Sequence, residues 1–471
     1  MSILTLAREV DFLRDRVKDM EGLMELATER IQKLEKEKEE LNKEREGLKE
    51  RLKRILCKAF KPRVKKEGEK IKKGAPLGHQ GRSRMRPTEV SEYKDIYPNR
   101  CEECGSGDIT VYENSYEEHY VEDIKIIKVT TLNRMHYGYC KNCKRTIYPR
   151  REELVIKASR VGVEARAIGS YLRYLGLPYR KAAKIFKDIF NIGISHTSLQ
   201  SFEREQAKNG ETLYSAIKEE VKDSSFINID ETGWRVDGEN WWLWVFTNKE
   251  VALYCIENSR SSEVVRGILG EEYRGVLGSD FYSAYNAIKA RAKQRCCAHL
   301  LEEIKEIQEA NKFTEGSKEE VFCRKLKGIF KGLIEVWKEV REDKRGFDEL
   351  KEAKEGAITG LIELVSEPFG NEDIARIQKR IIKHHEELLV FLDDPEIEPT
   401  NNRAERQLRP SVIMRKITFG NRSEVGAHNH SVIMSIVQSG ILNNVNPLDI
   451  FIMLTRKDCA KDIDLPQIRG P

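Results

Sequence analysis

Two aspartates stand where an apolar strand should carry none: Asp230 interrupts the run FINI-D, and Asp280 ends the run GVLGS-D. A carboxylate in a buried strand is costly unless it is paired or binds a metal. If the two runs are neighbouring strands, the carboxylates share one site, and a later helix can add a third. Glu405, in the stretch EPTNNRAERQLRP, is the candidate; it sits among Arg403, Arg406 and Arg409 behind residues suited to a helix cap, Thr400, Asn401 and Asn402. Three such ligands can hold two Mg²⁺ (or Mn²⁺) ions about 4 Å apart, which activates an attacking hydroxyl and stabilises the leaving oxygen at a phosphodiester. Taken singly, each aspartate also reads as a strand-end or turn residue, and Glu405 as solvated charge.

A second set of ligand-type residues is the pair of C-x-x-C knuckles, CEEC (Cys101, Cys104) and CKNC (Cys140, Cys143). About thirty-five residues lie between them, including the strand-like VEDIKIIKVTTLNRMHYGY. The spacing fits a tetrahedral Cys₄ zinc ribbon, structural because four thiolates leave no open position. Zinc would supply the stability that so small a module lacks. A redox dithiol is the alternative. No apolar h-region opens the chain and no apolar run approaches the roughly 18 residues of a membrane span. A cytoplasmic location without membrane association is therefore expected, and the ten cysteines are not read as a disulfide framework.

The elements that must position these groups are legible in outline. At 471 residues, 34% charged and with a mean hydropathy of −0.59, the chain reads as several soluble domains. Val10, Leu13, Val17, Met20, Met24, Ala27, Ile31 and Leu34, then Leu41, Leu48, Leu52 and Ile55, keep a 4-3 spacing broken by Lys38 and Arg45. A coiled coil over 1–56 is expected, hence self-association, with a lone solvated helix as the alternative. Residues 57–95 form a basic arm: between Arg51 and Val90 there are 14 Lys or Arg against 3 Glu. Such an arm, with Arg82, Arg84 and Arg86, suits a phosphate backbone or a minor groove, or else is a plain linker.

The zinc ribbon would occupy 96–150 and a helical region 155–215. There LPYRKAAKIFKDIF, a short NIGI and SHTSLQSFEREQAK resemble a helix-turn-helix with Ser195 as cap. Its second helix would bring His196, Ser198, Gln200 or Arg204 to base edges, unless the region is a helical spacer. FINIDETGWRV, NWWLWVFTN and VALYCIEN then read as three strands, with DGEN as a hairpin turn. SRSSEVVRGIL reads as a helix, RGVLGSDFYSAY as a strand, and KQRCCAHL as a further strand leading into the helix LEEIKEIQ. That order matches an RNase H-like α/β domain over 220–300 and 396–430. An all-helical insertion is expected over 301–395 and a C-terminal helical segment over 431–471.

The array IDETGWRV, GSDFYSAY, CAHLLEEI and TNNRAERQLRP followed by MRKITFGN resembles the insertion-sequence-66 family of DDE transposases. The likeness reaches upstream to the leucine-zipper start, GHQGRSR, both knuckles and LPYRKAAKIF, and downstream to VNPLDIFIMLTR. It implies a multidomain α+β protein with an RNase H-like catalytic domain, in which Asp230, Asp280 and Glu405 are the catalytic acids. It also implies Mg-dependent strand cleavage and strand transfer on transposon DNA, with DNA ends and target as partners and small accessory proteins encoded alongside. Cys296 and His299 match the family's C-x-x-H, which supports the site; read from the residues alone they are a buried cysteine and a core histidine. Arg406, Arg409, Arg415 and Lys416 are candidate phosphate contacts, or surface charge. Arg403 and Cys297 depart from the family pattern, where a small and an aromatic residue are more usual. A DNA-binding regulator with a degenerate catalytic domain, and a nuclease without strand transfer, are the rival functions.

Overall fold

The computed structural model describes residues 32, 34–40, 43, 86–112, 116–124, 126–147 and 161–456. The chain divides into two compact units, 1–122 and 123–471, each taken by itself below. Most of the expected coiled coil and basic arm, Arg82 and Arg84 included, lies outside the described residues. In the first unit, residues 34–40 are helical and exposed. Arg86 is exposed, with Glu118 at 3.6 Å. Cys101 begins a tight turn in which its carbonyl accepts from Gly105 N at 2.9 Å and its N–H donates to Ser106 O at 2.9 Å.

The second unit begins with a small antiparallel pair, β1 (Gly138–Cys140) and β2 (Arg145–Ile147), joined by the CKNC turn. The strand-like stretch before it has no ladder among its described residues, and Val121, Ile124, Ile127, Val129 and Leu132 are exposed. β propensity reflects fit to a half-buried pleated surface, and these side chains have no such surface to pack on.

Three helices follow: α1 (Val163–Tyr174), α2 (Tyr179–Asp188) and α3 (His196–Asp223). α3 starts where the sequence places it, with Ser195 Oγ accepting from Ser198 N at 3.0 Å. Ala182, Phe186, Ile194, Leu199 and Phe202 close a small core between the three. α3 then continues well past the expected region boundary at 215. Its Leu213, Ile217 and Val221 are fully buried against the central sheet, so the helical region and the sheet share one rigid rod.

That sheet has the order β5-β4-β3-β6-β7. β3 (Phe226–Val236), β4 (Glu239–Thr247) and β5 (Ala252–Glu257) form the expected antiparallel meander. Asp237 and Gly238 (φ +50° and +84°) make the two-residue turn that the right-handed twist of the strands favours. After α4 (Ser262–Leu269), β6 (Glu272–Ser279) returns parallel to β3, and β7 (Lys289–Arg295) lies parallel to β6. The sequence reading put this last strand over KQRCCAHL. It ends at Arg295, and α5 (Cys297–Asn311) takes up the rest because CAHLLEEI carries the apolar spacing of a helix, with Cys297, Leu300 and Ile304 buried.

The strands alternate, so each face has its own cover. Ile227, Ile229, Trp244, Phe246, Leu253 and Leu277 pack against Leu213 and Ile217 of α3, Val265 of α4 and Val432 and Ile436 of α10 (Glu424–Leu442). Trp234, Leu243, Val245 and Tyr254 face Ala404 and Leu408 of α9 (Asn402–Thr418), and Met434 of α10. β5 is an edge strand, and α10 covers it: Ser439 Oγ and Ser435 Oγ accept from Ala252 N at 3.0 Å and Tyr254 N at 2.8 Å. Residues four apart on a helix thus satisfy every second N–H of a strand, a way to remove a sticky edge. α11 (Pro447–Thr455) closes the same core beside α1.

Between α5 and α9 lie α6 (Lys318–Arg341), α7 (Asp348–Ser366) and α8 (Glu372–Leu388), packed around Leu326, Phe330, Leu350 and Ile377 as a separate apolar core. No helix among the described residues is long and apolar enough to cross a membrane.

Candidate active site

The parallel register of β3 and β6 determines where the two aspartates fall. Asn228 pairs with Gly278, the last pair of that ladder, so Asp230 in β3 and Asp280, one residue past the end of β6, each stand two residues beyond it. A Cβ at Gly278 would lie 2.7 Å from Asn228 Nδ2, so the residue opposite must be glycine for Asn228 to keep its place. Asp230 Oδ1 accepts from Glu231 N at 2.9 Å, and Asp280 Oδ1 from Tyr282 N at 2.8 Å. Burial, then the charges of Glu231 and Asp280 and more weakly Glu405, push the Asp230 carboxyl up to about 7, although the Glu231 N–H works against this. Asp280 and Glu405 are therefore both close enough to act on Asp230.

Glu405 is in the first turn of α9, and Asn401 determines where that turn sits. The expected cap is absent: Asn401 occupies the N-cap position but its side chain accepts no helix N–H. Its amide instead donates to Ile229 O at 2.8 Å and accepts from Asn228 Nδ2 at 3.1 Å, next door to Asp230. Its backbone N–H donates to Cys296 Sγ at 3.1 Å, while Cys297 N donates to Pro399 O at 2.9 Å. Asn401 is buried, so a polar side chain in the interior is fully used in pinning the helix start to β3 and to the end of β7.

Cys296 and His299 lie in this same place. Cys296 Sγ, a His299 ring nitrogen and a Glu405 carboxylate oxygen all fall within 4.8 Å of one another, a set that could hold a metal ion. His299 Nε2 stands 3.8 Å from Glu405 Oε1. A hydrogen bond with Cys296, helped by the charges of Cys296, Glu405 and Asp280, pushes the imidazole up to about 9 against the effect of burial. The shift favours the protonated ring, which faces the Glu405 carboxylate.

Of the candidate phosphate contacts, Arg406, Arg409 and Lys416 are exposed on α9. Arg415 is half-buried and donates to Thr232 Oγ1 at 3.3 Å, two residues from Asp230 on the same face of β3. His196, Gln200 and Arg204 are exposed at four-residue spacing on α3, one stripe of that helix; Ser198 is half-buried, its hydroxyl 2.8 Å from Ser195 Oγ. In each C-x-x-C turn the first thiol is held below its usual range by backbone N–H groups aimed at it, from Cys104 and Glu103 on Cys101 and from Cys143 and Asn142 on Cys140. Both departures from the family pattern are accommodated. Arg403 pairs with Glu398 at 2.5 Å, and the Cys297 thiol is buried 3.7 Å from Leu388 O.

Sequence reasoning missed the ionic groups behind the aspartates. Glu231 points to the opposite face of β3 from Asp230. It is buried, takes Arg260 Nη2 at 2.6 Å and Nε at 2.8 Å, and accepts from the Tyr285 hydroxyl. Arg260 is itself held between the rings of Trp242, at 4.5 Å, and Tyr282, at 3.9 Å. Two adjacent acids in the apolar run FINIDETGW were the available signal, since the second, on the other face, needs a cation of its own. Arg295, the last residue of β7, is likewise completely buried beside Asp280.

A family model described as "Transposase IS66 family" matches residues 162–429, a stretch that contains the sheet, the three acids, Cys296 and His299. The chain is 27% identical over 311 residues to "Uncharacterized protein y4qI" of Sinorhizobium fredii, covering 58% of this chain and 55% of that protein. It is 24% identical over 209 residues to "Uncharacterized protein y4jD" of the same organism, covering 41% and 39%. The chain thus spans about half the length or less of these relatives. The family match takes in more than half of the chain, and the chain belongs to the IS66 family of transposases.

Proposed function

We propose that the protein binds the ends of an insertion sequence and catalyses metal-dependent strand cleavage and strand transfer at Asp230, Asp280 and Glu405. One observation carries the reading: Asp230 on β3 and Asp280 just past the end of the parallel strand β6 each lie two residues beyond the paired Asn228 and Gly278, with Glu405 near enough to act on the Asp230 carboxyl. The strand order, an antiparallel meander joined to two parallel strands, supports an RNase H-like catalytic domain.

Divalent ions fit this site by its donor chemistry. The carboxylates are hard oxygen ligands, and Asp230, raised by burial and by the charges of Glu231 and Asp280, is a group whose ionised form a cation would favour. Asp230, Asp280 and Glu405 would hold Mg²⁺ or Mn²⁺, two ions in all, which supply nucleophile activation and charge neutralisation at phosphorus. The chain's own residues do the rest. Asn401 fixes Glu405 over the strands, protonated His299 balances its charge, and Arg415, with Arg406, Arg409 and Lys416 further out, attracts the phosphodiester. In each displacement an oxygen nucleophile gives up a proton and bonds to phosphorus as the bridging oxygen leaves: water first, then the freed 3′ hydroxyl.

The exposed stripe of α3 suits contact with the element's ends. The lowered first thiol of each C-x-x-C turn suits a zinc ligand, and the heptads before residue 56 suit self-association. Incubating the full chain with Mg²⁺ and DNA carrying the element's ends tests the proposal: nicked ends joined to target DNA are expected. Nicks without joined products would make the protein a nuclease, and no cleavage with any divalent ion would leave a DNA-binding regulator.

A further inference from the structure

Arg295 is a charge with no access to water. Its side chain is 0% exposed, and its desolvation costs several kcal/mol that a methionine in the same space would avoid. All three of its nitrogens are engaged. Nη1 donates to Asp280 O at 2.8 Å and Ser279 Oγ at 3.1 Å, Nη2 to Asn286 Oδ1 at 2.6 Å, and Nε to Glu387 Oε2 at 2.7 Å. The first three partners belong to the segment that carries Asp280; the last belongs to α8, in the helical insertion.

α8 reaches that segment a second and a third time. His384 Nδ1 donates to the same Glu387 oxygen at 2.7 Å, and its ring stands edge-on to Phe281, centroids 5.8 Å apart. The Arg380 guanidinium lies over the Phe281 ring, 4.8 Å from its centroid. His384 is also where α8 breaks, with φ −124° and ψ 18° inside an otherwise regular helix. The break lets His384 and Glu387, three residues apart, both turn toward Asp280 and its neighbour.

The geometry points to Arg295 as the positioning residue of Asp280, with Glu387 of the helical insertion holding the guanidinium in place. A metal-binding carboxylate must be set within a fraction of an ångström, and groups behind the ligands commonly change metal affinity 10–100-fold. Here the group behind the ligand acts on its main chain: Arg295 holds the Asp280 carbonyl, and the carboxylate's Oδ1 accepts from Tyr282 N in the same segment. The insertion is then a structural part of the metal site as well as an appendage beside it. This rests on the reading of Asp280 as a metal ligand.

Direct Mn²⁺ binding to the full chain, followed by the loss of the free-ion paramagnetic resonance signal, tests it without requiring turnover. Asp280→Asn is the reference for a lost ligand. Arg295→Lys keeps the charge but loses the fork, and should weaken Mn²⁺ binding about tenfold or more. Glu387→Gln, at a partly exposed position, should weaken it in the same direction and keeps the inference testable if Arg295→Lys fails to fold. Affinity for end DNA should stay as in wild type, and cleavage should return at raised Mn²⁺, which a merely structural defect would not allow. Folded Arg295→Lys or Glu387→Gln protein with wild-type Mn²⁺ affinity, while Asp280→Asn has lost it, overturns the role of Arg295 alone. Wild-type affinity in Asp280→Asn overturns the metal-site reading, and the inference with it.

Discussion

Asp230 is the residue whose energetics are most exposed to experiment. Its folded pKa of about 7 lies above the ordinary carboxylate value, so the folded state binds the extra proton. The stability this provides is complete below about pH 4 and is lost as pH rises through 7. Asp230→Asn removes the repulsion without changing shape. In metal-free buffer its melting midpoint should exceed wild type by about 3 °C or more at pH 8 and match it at pH 4. A midpoint unchanged at pH 8 would mean that burial and the neighbouring charges do not raise Asp230. At this scale Asp230 and Asp280 stand out in the sequence as charges at apolar runs, whereas Glu405, among arginines, is singled out by the family resemblance. Arg295 was not legible, because an arginine after KQ looks like any surface cation, and its burial depends on α8, some ninety residues away in sequence.

Elements decide how Glu405 arrives at the strands. The sequence marked the start of α9 correctly and gave the wrong reason, since TNN has the composition of a cap. Asn401 spends its amide on β3 instead, a choice that depends on a strand 170 residues earlier. Asn401→Ala would remove the amide that meets Ile229 O and one of the two acceptors of Asn228 Nδ2, and should cost about 1–3 kcal/mol in urea unfolding. Cleavage should fall further than the folded fraction does, and equal losses would reduce Asn401 to a structural residue. α3 was legible at its capped start and illegible in its length, since 3.6-residue periodicity does not say which core a helix will join. Its exposed stripe makes a separate prediction: His196→Ala, Gln200→Ala and Arg204→Ala together should weaken binding to end DNA at least about tenfold while leaving the melting midpoint unchanged. Unchanged affinity in a gel-shift titration would remove α3 from the DNA interface.

At the scale of the molecule, the strands and their order were readable because hairpin turns and alternation are local signals, whereas the packing of the insertion was not. Nothing in the spacing of KEEVFCRKLKGIFKGLIEVWKEV says that its core would join Val276 of β6 and Cys297 of α5. The insertion thus packs directly against the strand that leads to Asp280. The central claim is that three acids from three elements form one metal site. It is tested most directly by end-DNA cleavage in Mg²⁺ by wild type, Asp230→Asn, Asp280→Asn and Glu405→Gln, all shown to be folded and to bind the DNA. Cleavage by wild type, reduced at least about a thousandfold in each variant, is the expected result. Cleavage at wild-type rate by any one of the three would contradict it.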